Sequence, residues 1–102
     1  MEPLATFVPL PGHVLKVSGE IDLSNADAFA EALELSGGNG GVTIDASDLQ
    51  YLDSAGLRVL AAKARQLQEQ GGKLIIESPT DPVYRVLEIS GLDRIPSVEV
   101  RR

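Results

Sequence analysis

The sequence predicts an α/β fold: a mixed, mostly parallel sheet of about five strands packed with three or four helices, in one domain spanning residues 1–102. Three observations predict it. Strand-like runs alternate with helix-like ones from residue 13 onward, and consecutive parallel strands need helical crossovers. Pro9-Leu10-Pro11-Gly12 stands between two short apolar runs and predicts an opening hairpin, hence one antiparallel edge. The chain has 102 residues, 43% hydrophobic and 24% charged, which is enough for one core and too little for two.

Each element has its own signal. Leu4 to Val8 predicts a short first strand, and His13 to Val17 a second that returns across the proline–glycine turn. Ser18 to Asp22 leads out of it. Ser24, with Asp27 three residues on, reads as the N-cap of a first helix that buries Phe29, Ala30 and Leu33. Gly37 to Gly41 ends that helix. Val42-Thr43-Ile44 then opens a central strand, which passes through a polar bend before a long helix begins at Asp53-Ser54. Leu57, Leu60, Ala61, Ala64 and Leu67 recur on that helix at helical spacing and form one apolar stripe. Gly71-Gly72 stops it, and Lys73 to Ile76 predicts the next strand. Asp81-Pro82 starts a third helix with Val83, Val86 and Leu87 inward, and Gly91 before Leu92 reads as its glycine C-cap. Ser97 to Val100 is the expected last strand.

Composition excludes several classes of function. A net charge of −6 works against binding a phosphate backbone or an anionic lipid surface. Aromatic residues make up only 4%, with no tryptophan, so there is little on which single-stranded bases could stack. The absence of cysteine removes disulfides and thiolate metal sites and suits a reducing compartment. No long apolar run, signal peptide or lipidation motif is present, so the expected place of work is the cytoplasm.

Catalytic motifs fail on context. Gly37 to Gly41 follows a helix and precedes a strand, the reverse of a phosphate-binding loop, and reads as a linker turn. Ser54 lacks the Gly-x-Ser-x-Gly elbow of a hydrolase nucleophile, and His13 is the only histidine available as a base. Glu20, Asp22, Asp45, Asp48 and Asp53 lack EF-hand spacing and read as caps and turns. The expectation is a binding module with no catalytic residue, metal or cofactor.

Ser54 is the position with chemical possibilities. It, or Asp53 beside it, can serve simply as the cap of the long helix. A phosphate on Ser54 would also lie at the positive end of the helix dipole, near backbone N–H groups. Ala55 and Gly56 are small and would let another protein approach the backbone closely. A phosphate there adds about −1.5 to −2 charges to an already acidic surface and would repel a docked partner.

Gly19-Glu20-Ile21-Asp22, Asp45-Ala46-Ser47 with Leu49, and Leu52-Asp53-Ser54-Ala55-Gly56-Leu57 together resemble the STAS domain, and most closely the bacterial anti-sigma-factor antagonists. The resemblance continues through Gly71 to Leu74 and Val86 to Leu92, covering about residues 13–95. It implies a cytoplasmic partner switch. Ser54 would be phosphorylated by an anti-sigma factor that is itself a protein serine kinase, and the unphosphorylated chain would bind that kinase and free the sigma factor. A metal-dependent serine phosphatase would restore the binding form. The kinase brings nucleotide and metal, so this chain needs no cofactor, touches no nucleic acid directly and inserts into no membrane. Asp22, Ser24, Asp53, Ser54, Ala55, Gly56, Leu57 and Arg58 form the implied partner-binding set.

Two departures accompany the resemblance. Relatives often carry a further helix after the last strand, before which this chain is expected to end, and many have a smaller or uncharged residue in place of Arg58, which is a partner for the phosphate, a partner for an acidic protein, or an ordinary exposed helix residue. The same family includes accessory subunits of bacterial lipid-transporting ABC complexes and stressosome-type scaffolds, which are the alternative readings.

Overall fold

A computed structural model describes residues 3–102. Its single five-stranded sheet has the order β1 (Ala5–Leu10), β2 (Val14–Ile21), β3 (Gly41–Leu52), β4 (Lys73–Glu77), β5 (Val98–Arg101). β1 and β2 pair antiparallel, and the three remaining pairs are parallel. The helices α1 (Ala26–Ser36), α2 (Ser54–Glu69) and α3 (Asp81–Ser90) form the three crossovers, and a 3-10 turn at Leu92–Arg94 leads into β5. The expected architecture of five strands and three helices is therefore present.

This strand order has a direct consequence. Every crossover advances one strand in the same direction, and right-handed crossovers then place all three helices on one face. Burial alternates accordingly. Leu15, Val17 and Ile21 of β2, Ile44 of β3 and Leu74 and Ile76 of β4 are buried with Phe29, Leu33, Leu60, Ala64, Leu67, Val83 and Leu87 of the helices. Their neighbours Lys16, Thr43, Asp45, Ile75 and Glu77 are only half-buried on the helix-free face. Phe7 and Phe29 stack with ring centroids 5.9 Å apart, sealing α1 against the hairpin.

Two details correct the sequence-based expectations. The polar stretch between Ile44 and Asp53, expected to bend, continues β3 as far as Leu52. Register shifts between Lys16 and Ser18 and between Gly19 and Glu20 let β3 carry extra residues opposite β2. These bulges turn both Leu49 and Leu52 into the core although they are three residues apart. Ser24 is not the cap of α1: the helix begins after Asn25, and no side chain caps it. α3 begins at Asp81 as expected, with Thr80 in the N-cap position and Pro82 in its first turn.

Gly19 and Gly41 are fixed by the sheet. Both have positive φ, and a Cβ would stand 2.3 Å from the Leu4 carbonyl oxygen at Gly19 and 1.9 Å from that of Lys73 at Gly41. Gly91, φ +79, ends α3 as expected.

Candidate functional site at the start of α2

Parallel strands bring their C-terminal ends together, so the acidic residues that follow β2 and β3 become neighbours. Ile21 pairs with Leu52, and the Asp53 amide donates to the Ile21 carbonyl oxygen at 3.2 Å. Asp22 and Asp53 therefore leave the sheet side by side, one entering the loop before α1 and the other starting α2.

Asp53 is the N-cap of α2. Its Oδ1 accepts the Ala55 amide at 2.9 Å and the Gly56 amide at 3.2 Å, satisfying two of the helix's otherwise free donors. Ser54 is the first helical residue and is exposed. Its hydroxyl has no protein partner among the described residues, so the cap belongs to Asp53 and Ser54 is free for another use. The cap also changes the expected anion site, because the Ala55 and Gly56 amides are already taken by a carboxylate.

Ala55 and Gly56 do not present open backbone to a partner. Ala55 is 8% exposed and Gly56 is buried. A Cβ on Gly56 would stand 2.3 Å from Leu52 Cδ1 and 2.9 Å from Ile21 Cγ2, so this glycine lets the first turn of α2 settle onto the ends of β2 and β3. Leu57 is half-buried, and Arg58 is exposed one turn below Ser54. Arg58 Nε donates to the Ser54 carbonyl oxygen at 3.4 Å, which holds the guanidinium beside the serine.

The loop before α1 is equally ordered. Asp22 Oδ1 accepts both the Ser24 amide at 2.8 Å and the Ser24 hydroxyl at 2.5 Å. The Ser24 hydroxyl, then its amide, hold the Asp22 carboxyl below the usual carboxylate range. Asn25, which the motif reading passed over, straps the loop: its Oδ1 accepts the Asp22 amide at 2.9 Å and its Nδ2 donates to the Glu20 carbonyl oxygen at 2.9 Å. Leu23, also passed over, is 80% exposed between Asp22 and Ser24. An apolar residue inside a polar turn is the signal that would have found it.

His13 is remote. It precedes β2 while Asp22 follows it, and eight strand residues span about 26 Å. Its Nδ1 lies 3.2 Å from the Ser36 carbonyl oxygen, and its ring covers Gly38. It therefore supports the far end of the sheet and cannot activate Ser54. The site offers an exposed hydroxyl on a rigid turn, two carboxylates beside it and one arginine. Such a site can accept a group from another protein and can be recognised by one.

Residues 8–99 match the model of the family described as Mlab, STAS domain. The anti-sigma-B factor antagonist of Listeria monocytogenes is 33% identical over 85 residues, covering 81% of this chain and 75% of that protein. The anti-sigma-B factor antagonist of Bacillus subtilis is 30% identical over 88 residues, covering 85% of this chain and 81% of that protein. Among solved structures, an anti-sigma factor antagonist from Mycobacterium paratuberculosis superposes with a TM-score of 0.74 at 28% identity, covering 95% of this chain and 83% of the other.

Proposed function

This chain belongs to the STAS domain family, and on that premise we propose that it is an anti-sigma-factor antagonist switched by phosphorylation of Ser54. It works as a binding module. The observation that carries this reading is the separation of roles at residues 53 and 54: Asp53 caps α2, and the Ser54 hydroxyl is left exposed and unengaged.

In the unmodified chain the Ser54 end of the sheet offers a partner one neutral hydroxyl, the exposed Leu23 and the fixed carboxylates of Asp22 and Asp53. An anti-sigma kinase docked there holds the hydroxyl accessible to its own nucleotide. Transfer of the terminal phosphoryl group to Ser54 Oγ releases the hydroxyl proton and leaves the diphosphate with the kinase. The product carries about −1.5 to −2 charges next to Asp53. Because Asp53 already occupies the two nearest amides, the phosphate gains little from the helix start. The repulsion acts on the docked partner. A serine phosphatase restores the neutral form. No helix among the described residues is long and apolar enough to cross a membrane.

The test is incubation with the cognate anti-sigma kinase and ATP. Ser54 should gain one phosphate and the complex should dissociate, whereas Ser54→Ala should bind the kinase and stay bound. Failure of Ser54 to accept phosphate while the complex forms would remove the switch. The matching family model carries the description Mlab, which favours a second reading, an accessory subunit of a lipid-transporting ABC complex. That reading predicts stable association with a transporter ATPase and indifference to Ser54 modification.

A further inference from the structure

We propose that the groove between α2 and the 3-10 turn seats an acidic amphipathic helix of the partner protein, and that phosphorylation of Ser54 weakens this seat by drawing Arg58 out of it. The second half rests on the switch proposed above; the first does not.

The groove has a volume of about 360 Å³. Leu57 and Ala61 of α2 form its floor with Leu92 and Ile95, and Arg58 and Arg65 stand on its α2 rim. Leu57, Ala61 and Ile95 are only half-buried, so apolar surface is left uncovered there. The two arginines are seven residues apart, about 10.5 Å along the helix. The α2 residues that line the groove run from Leu57 to Arg65, about 12 Å along the helix, enough to seat roughly two turns of a second helix.

Charge selects the occupant. The chain has 15 acidic and nine basic residues, yet α2 carries Arg58, Lys63 and Arg65 against the single acid Glu69. Lys16, Lys63, Lys73, Arg101 and Arg102 each meet a carboxylate. Four cations meet none among the described residues, although acids outnumber bases: Arg85 and Arg94, which do not line the groove, and Arg58 and Arg65, which do. Both are exposed. An apolar floor between two unpaired cations is complementary to a helix with leucine-type side chains on one stripe and glutamates beside it. A nucleic acid or anionic bilayer would bring far more negative charge onto a chain of net charge −6.

Arg58 links the groove to Ser54. Its Nε already rests on the Ser54 carbonyl oxygen, so the guanidinium lies one turn below the position of the phosphate. A dianionic phosphoserine four residues before an arginine takes up that guanidinium in a charge-assisted pair. The groove then loses the cation nearest Ser54, and the partner helix meets a phosphate in its place.

The probe is a synthetic 16-residue helical peptide with leucines at helical spacing flanked by glutamates, together with its lysine-for-glutamate counterpart. Each is titrated into the isotopically labelled full chain and followed by NMR. The acidic peptide should shift the amides of Leu57, Ala61, Leu92 and Ile95, and the basic one should not. Arg65→Glu, far from Ser54, should weaken the acidic peptide by about ten-fold or more while the melting temperature holds. Phosphoserine installed at 54 should weaken it several-fold, with a smaller loss in Arg58→Ala. Equal binding of both peptides, shifts mapping elsewhere, or binding of phosphatidylglycerol vesicles in place of the peptide would overturn the seat. Loss of binding in Arg65→Glu without any effect of phosphoserine supports the seat and overturns its coupling to Ser54.

Discussion

Asp53 holds Gly56: one carboxylate oxygen accepts the glycine amide at 3.2 Å, while the glycine itself presses against Leu52 and Ile21, leaving no room for a side chain. This pair anchors the first turn of α2 from both sides. Ser54 lies between the two residues but takes part in neither contact, so it is held in place by its neighbours and remains chemically free.

The division of labour predicts opposite responses at adjacent positions. Asp53→Ala removes a cap and should cost about 1 kcal/mol. In a domain of this size that corresponds to roughly 4–8 °C in melting temperature. Ser54→Ala should leave the melting curve nearly unchanged. Calorimetry on the two variants separates them, and an equal loss at both would mean that the serine shares the cap.

Gly56→Ala should destabilise the protein despite alanine's better helix propensity. The added methyl must displace the buried Leu52, and overpacking of this kind costs about 1–3 kcal/mol. Urea unfolding gives the value. The variant should also disturb the Ser54 amide in NMR spectra, since the first turn can no longer settle onto the strand ends.

Asp22 should titrate below an ordinary aspartate. Its carboxylate is stabilised first by the Ser24 hydroxyl and then by the Ser24 amide, so its folded pKa is lowered. The stabilisation is fully present above the unfolded value of about 3.9 and is lost as pH falls through the lower folded one. Asp45 follows the same rule through the Ser47 hydroxyl and amide. Ser24→Ala should move the Asp22 midpoint upward in a carboxyl NMR titration and leave Asp45 where it was. Were both to move together, a general surface field would be responsible.

Much of this was legible in the sequence. The alternation of strand and helix, the hairpin turn, Gly91 and the Asp53-Ser54 helix start depend on local chemistry, and local chemistry determined them. The failures have specific causes. Asp45, Ser47, Asp48 and Gln50 look like a bend because each is a turn-forming or polar residue. Pairing with β2 nevertheless extends the strand through them, and the Asp45–Ser47 hydrogen bonds sit within that bulged region. Ser24 has cap chemistry, but Asp22 captures its hydroxyl two residues earlier. Ala55 and Gly56 are small because they face inward, a point that needs the positions of Leu52 and Ile21. The groove beside Arg58 needs residues 57–65 and 92–95 brought together, which no local pattern specifies.

The central claim is that Ser54 switches binding to an anti-sigma kinase. The most direct measurement uses the unmodified chain and the chain carrying phosphoserine at 54 as parallel baits in extracts of the native cells, with mass spectrometry of what each retains. The account predicts an ATP-binding anti-sigma factor on the unmodified bait, strongly depleted on the phosphorylated one. A transporter ATPase retained equally by both would contradict it, and would leave Ser54 as an exposed residue beside the Asp53 cap.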